Sequence, residues 1–131
     1  LEKNSPVTVK EQSEIAFTAD EDETRIAALS ELTGVRVPVA STILAMWQPT
    51  KHAVIDYRAL RALPAAKPQL LDHTEYTEFA EFLELFRTYG SDPSAYEFYI
   101  DHVRELAEQN GLLPREVDMA LWEYDRKRTE S

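Results

Sequence analysis

Apolar residues recur along this chain every three or four positions, the spacing of one helix face, and almost nowhere alternate as a strand would require. The pattern predicts seven helices. Ser5-Pro6 opens the first, which runs to about Phe17. Thr18-Ala19-Asp20-Glu21 has the spacing of a capping box, and acids fill the turn that follows, so a second helix is expected there. It runs to Leu32 and turns Ile26, Leu29 and Leu32 inward. Residues 33–37 make a tight connection, and Pro38 suits the first turn of a third helix ending near Met46. Asp56 stands just before a fourth helix at 57–63, after which Pro64 and Pro68 bracket a linker.

The fifth helix spans 74–89. Tyr76, Phe79, Phe82, Leu83 and Phe86 form its apolar stripe, Glu75, Glu78, Glu81 and Glu84 its solvated face, and Gly90 its stop. Ser91-Asp92-Pro93 starts the sixth, which turns Tyr96, Tyr99, Val103 and Leu106 inward and ends at Asn110-Gly111. Pro114 opens the seventh, which runs to about Arg128 with Val117, Leu121 and Tyr124 in the core. The expected fold is all-α, one helical domain over 1–131 with its C-terminal helical part at 74–128.

Composition narrows the function. The chain has 131 residues, 44% of them hydrophobic, which is enough for the core of one domain. Its 24 acidic and 14 basic residues give a net charge of -10, which excludes a basic nucleic-acid surface spread over the whole protein. There is no cysteine, so disulfides, iron–sulfur clusters, thiolate zinc sites and cysteine nucleophiles drop out. No apolar run approaches the roughly 20 residues of a membrane span, and no signal peptide is visible. The expectation is therefore a cytoplasmic protein with no membrane partner. The first residue is Leu1, so processing, trimming or a longer parent chain is expected.

The net charge conceals an asymmetry. Residues 34–64 carry Arg36, Lys51, Arg58 and Arg61 against Asp56 alone, a balance of +3, while the segments on either side are strongly acidic. A polyanion that touches this protein should touch it there. The turn in that segment has its own physics. Gly34 permits positive φ, and the amides of Val35, Arg36 and Val37 are expected to point outward at the N-terminus of the third helix, an arrangement suited to one phosphate of a nucleic-acid backbone. Such contacts carry no base information. Duplex DNA, bound weakly and without sequence preference, is the expected partner.

The run Leu32-Thr33-Gly34-Val35-Arg36-Val37-Pro38-Val39-Ala40-Ser41-Thr42-Ile43-Leu44 resembles a helix–hairpin–helix, placed here at 24–47. It is similar to the element of the helix–hairpin–helix–GPD DNA glycosylases, the endonuclease III-like superfamily of base-excision repair. Val54-Ile55-Asp56 occupies the apolar-apolar-Asp step that follows the hairpin in those enzymes. The resemblance covers about residues 24–63 and makes Asp56 the counterpart of the superfamily's catalytic aspartate. The residues expected to touch DNA are Gly34, Val35, Arg36 and Val37 of the turn, with Lys51, Arg58 and Arg61 as further phosphate contacts; the alternative for Arg58 and Arg61, one turn apart, is pairing with surface acids. Hairpins of this class can hold a monovalent cation on backbone carbonyls; no other cofactor and no side-chain metal site is implied. The segment from Val103 through Tyr124 looks like the tail of uncharacterised bacterial proteins with the same hairpin.

The departures define what the resemblance implies. The second hairpin glycine is Arg36 here, and the Schiff-base lysine position of bifunctional members is Pro38, so lyase chemistry is not expected. Only 33 residues precede Gly34, whereas the superfamily builds much of its base pocket before the hairpin. A reduced or vestigial monofunctional N-glycosylase is therefore the implied activity. The alternative is a non-catalytic module on the same fold that uses its acidic surface for a protein partner. Physically, Asp56 at a helix N-terminus should have a low pKa, which suits an anion facing a sugar oxocarbenium ion and equally a plain N-cap. His52 is expected in solvent, Trp47 partly in the core, and His73 and His102 have no metal spacing. There is no Gly-rich nucleotide loop, no Ser/His/Asp set and no pair of catalytic carboxylates.

Overall fold

Short capping side chains and prolines set most of the helix starts. In the computed structural model, which describes residues 5–71, 73–89 and 92–130, the chain forms seven α-helices and one 3-10 turn, with no strand among the described residues. The first helix, α1 (Pro6–Thr18), begins where the Ser5 hydroxyl accepts the Thr8 amide at 3.1 Å. Next come α2 (Asp22–Ser30), α3 (Val37–Trp47) and α4 (Tyr57–Ala66), the 3-10 turn Pro68–Leu71, and α5 (His73–Tyr89). Asp92 caps α6 (Pro93–Asn110) by accepting the Ser94 amide at 3.0 Å, and Gly111 ends it in the left-handed region at φ 65°. The last helix, α7 (Pro114–Glu130), starts where Glu116 accepts the Leu113 amide at 2.8 Å. Gly90, Ser91 and the side chains of residues 71–78 and 89, including the expected stop after α5, lie outside the described residues.

Three local expectations are corrected. The capping box at Thr18 does not form. Thr18 is the last residue of α1 and donates its hydroxyl back to the Glu14 carbonyl at 2.6 Å, while α2 starts after Glu21 with no side-chain cap. Pro64 does not end α4. The helix carries it as a buried interior residue and closes its final turn with the Lys67 amide on the Leu63 carbonyl at 3.0 Å. On α7, Tyr124 is exposed and Asp125 takes the buried position.

One core cluster draws on every helix. The central helix α6 supplies Tyr96, Tyr99, Ile100 and Val103, all fully buried, and packs on α2, α3 and α7. α1 lies outside α2, with Ala16 as its buried residue. α4 packs on α7 and meets α5 and the 3-10 turn on its other side. The contact of α4 with α7 contains a buried charge. Asp125 is fully buried and accepts Arg61 Nε and Nη2 at 2.8 and 2.6 Å, with Arg128 Nη2 at 3.1 Å and Arg58 Nη1 at 3.6 Å. The Arg61 hydrogen bonds hold the Asp125 carboxyl below its ordinary range.

Between α2 and α3, Gly34 has φ 85°, as the abrupt connection requires. The Val35 amide closes this turn on the Leu32 carbonyl at 3.1 Å. Leu29, Leu32 and Ala40 are buried beside it.

Gly34→Val is expected to cost about 1–3 kcal/mol, the range for strain at a left-handed position. A Cβ there meets nothing within 4 Å, so backbone strain rather than a clash sets the loss, and denaturant unfolding measures it. Arg61→Met is expected to cost about 1.5–3 kcal/mol, the range for hydrogen bonds to charged groups, because it strips the two shortest bonds from a buried carboxylate. An Arg61→Met midpoint equal to the parent's would show that Arg58 and Arg128 suffice.

Candidate functional site around Asp56

The segment 53–56 runs between α3 and α4 without a helix of its own, so its amides need partners from elsewhere. They find side chains. The Val54 amide donates to Asp118 Oδ2 of α7 at 2.7 Å. The Ile55 amide donates to the buried Ser41 hydroxyl of α3 at 3.0 Å, and that hydroxyl donates on to the Pro38 carbonyl at 2.7 Å. Ala53 and Ile55 are fully buried between these bonds. Asp56 then caps α4, its Oδ1 accepting the Ala59 amide at 2.8 Å. The local sequence, two apolar residues and an aspartate, thus threads a short extended stretch into the core and leaves the carboxylate at the rim.

Asp56 lines two clefts. One, of about 520 Å³, lies beside the Gly34 turn and is walled by Gly34, Arg36, Pro38, Tyr57 and Arg87. The other, of about 470 Å³, opens towards α7, where Asp118, Arg115, Met119, Trp122 and Glu123 line it with Val54. The expectation of a low pKa for Asp56 is corrected. Burial raises it, outweighing the Ala59 and Arg58 amides and the Arg58 charge that pull it down. A second carboxylate, Asp118, lines the same cleft at α7. Asp118 is buried, hydrogen-bonded to Val54 and to Arg115, and burial pushes its carboxyl up to about 6. The signal for Asp118 was in the sequence. Pro114, Val117, Asp118, Leu121 and Asp125 share the buried stripe of α7, and an acid inside such a stripe marks a polar contact across the interface.

The expected DNA contacts separate. Arg36 and Gly34 stay together at the turn cleft, joined by Arg87 from α5, which no local pattern had pointed to. The Val35 amide turns inward to Leu32 rather than outward. Arg61 and Arg58 face α7: Arg61 binds Asp125, and Arg58 also donates to Thr129 at 3.2 Å and lies 5.5 Å over Trp122. Lys51 lies beyond the far end of α3, whose 11 residues span about 16 Å. There its carbonyl accepts Arg104 Nε at 2.8 Å.

His52 is not in solvent. It is 1% exposed, with Nδ1 2.9 Å from the Tyr96 hydroxyl, and its ring lies between Trp47 and Tyr96. Burial lowers its pKa to about 4, against the pull of Asp22. Trp47 itself stays half in solvent, its ring centroid 4.5 Å from that of Phe17 and under Arg25. Among the described residues no group of three His, Asp or Glu is arranged to hold a metal ion, and no helix is long and apolar enough to cross a membrane. No protein family, curated protein or solved structure matches this chain.

Two opposite pH dependences follow. Asp118 holds its proton to about pH 6 in the folded protein against 3.8 ordinarily, so its contribution to stability falls as pH rises from 4 to 6. His52 titrates near 4 instead of 6.5, so its contribution is complete above pH 6.5 and is lost as pH falls towards 4. Across pH 4–6 the two oppose each other. Asp118→Asn keeps an acceptor for Val54 and removes one of them. Denaturant unfolding between pH 4 and 7 should show the variant losing stability on acidification more steeply than the parent. Parallel profiles would mean that Asp118 does not titrate in this window.

Proposed function

We propose that this chain binds duplex DNA weakly and without sequence preference at the Gly34 turn, as a helix–hairpin–helix element of the base-excision-repair glycosylase type would. The observation that carries this reading is that Asp56 lines the same cleft as Gly34, Arg36 and Pro38. A phosphate in that cleft meets Arg36, Arg87 and the N-terminus of α3. Asp56 is then the anion nearest the sugar, able to stabilise an oxocarbenium ion if a base leaves. A monovalent cation on the turn's carbonyls belongs to the same reading. The Leu32 oxygen accepts the Val35 amide and keeps a second lone pair for it. So does cytoplasmic residence, where DNA is at hand.

One observation favours a second reading, a non-catalytic module that binds a protein partner. α3 has no charged residue, yet Val39 and Met46 are 47% and 80% exposed. Large apolar side chains left exposed on an uncharged helix mark a surface that a partner can cover. Failure of the parent chain to bind DNA at low salt would leave this second reading standing.

With two arginines at the cleft, the dissociation constant for duplex DNA is expected at micromolar or weaker, with a salt slope corresponding to roughly two phosphates. Arg36→Glu with Arg87→Glu should abolish binding, whereas Lys51→Glu should leave it nearly unchanged. Binding by the double variant equal to the parent's in a low-salt titration would place the DNA elsewhere. Any base release should leave an intact abasic site, since Pro38 offers no amine. Asp56→Asn should abolish that release with little change in melting temperature, because Asn caps almost as well as Asp.

A further inference from the structure

Among the seven described α-helices, α3 alone carries no Asp, Glu, Lys or Arg, in a chain whose net charge is -10. Its buried side is Val37, Ala40, Ser41, Leu44 and Ala45. The side turned away from the core presents Val39 and Met46, seven residues apart, with Thr42 exposed and Ile43 half-buried between them. The spacing i, i+3, i+4, i+7 is that of a seam along which two helices pack. The Thr42 hydroxyl donates back to the Pro38 carbonyl at 3.0 Å, so its proton already has an acceptor within α3. We infer that two copies of this chain associate along this seam, α3 lying antiparallel against α3 of the other copy about a two-fold axis near Thr42 and Ile43.

Charge and pattern both point to a second copy. A charged partner segment finds no counter-charge on α3, and its own charges would lose water there without compensation. The complement of an uncharged apolar face is another such face, and α3 itself is one. The seam also reads alike in both directions. About the two-fold axis, Val39 lies opposite Met46 of the copy at each end and Thr42 opposite Ile43 in the middle, so one patch meets itself. Arg36, just before α3, then comes beside residues 48–50 of the copy, Gln48, Pro49 and Thr50, which carry no charge. It also faces the carbonyl end of the copy's α3, the favourable end of the helix dipole for a cation. The face is small, four side chains with Trp47 at its rim, which falls short of a standard interface and makes the association weak and reversible. Self-association at α3 rests on the second reading above, a protein partner, and names that partner.

Sedimentation equilibrium of the whole chain, from about 10 μM to about 1 mM, measures the association. The average mass is expected to rise from monomer towards dimer, with a dissociation constant on the order of 100 μM. Two chains of charge -10 repel, so raising salt should tighten the dimer by about two- to fivefold, opposite in sign to binding DNA or a basic partner. Met46→Glu, at a side chain 80% exposed, should weaken the dimer at least about tenfold at unchanged melting temperature. The chain has no cysteine, so single cysteines report where the copies meet. Thr42→Cys, beside the axis, should form a disulfide dimer at least about tenfold faster than Val7→Cys, exposed on α1. Val39 lines the turn cleft and is left unchanged, so the variants test α3 without altering that cleft. Self-association at α3 would be overturned by a chain that stays monomeric in high salt, by a dimer that salt dissolves, by a dimer that Met46→Glu leaves intact, or by equal cross-linking at the two cysteines. A monomer in high salt would leave the second reading to a different partner, and DNA binding at low salt is read separately.

Discussion

Two aspartates on one face of α7 hold the rest of the fold in register. Asp118 and Asp125 are seven residues apart, two helical turns, and both are buried. The first takes the Val54 amide just ahead of α4, and the second takes Arg61 within it. Together they fix α4 and its leading segment along α7 at two points. Apolar packing alone is non-directional and would let these helices slide. Removing either carboxylate leaves its partner groups unpaired, and unmet buried polar groups are what cost stability. The geometry of Asp56 follows from this clamp, because its backbone is held by the residues on either side.

The same clamp explains why the positive segment of the sequence does not form one basic face. Arg58 and Arg61 lie on the side of α4 that meets α7, and Asp125 draws them there. Lys51 is carried to the opposite end of α3, next to the Asp22–Arg104 pair. What stays at the Gly34 turn is Arg36, supplemented by Arg87 from α5. The turn cleft is therefore mildly basic, and Asp56 lines both it and the cleft at α7.

The helices and the Gly34 turn were legible in the sequence because their signals are local. Ser5, Asp56 and Asp92 each cap the helix expected of them, and Gly34 and Gly111 both adopt positive φ. Thr18 misled because its hydroxyl had a nearer acceptor in the preceding turn, at Glu14. The site was half legible. Asp56 stood out by its place before a helix, but its raised pKa depends on burial by elements far along the chain. Asp118 and Asp125 look like surface acids until the stripe of α7 is drawn around them. Arg87 and His52 gave no local sign. One joins the site through tertiary packing of α5, and the other is buried by Tyr96, 44 residues away.

The central claim is that α7, through Asp118, holds the segment that presents Asp56. Native-state hydrogen exchange of the Val54 amide tests it most directly. Val54 lies outside any helix, and an ordinary loop amide exchanges with little protection. The account predicts that Val54 is protected as strongly as the amides of the buried middle of α6 around Val103, and that Asp118→Ala lowers Val54 protection selectively. Loop-like exchange of Val54 in the parent chain would contradict it.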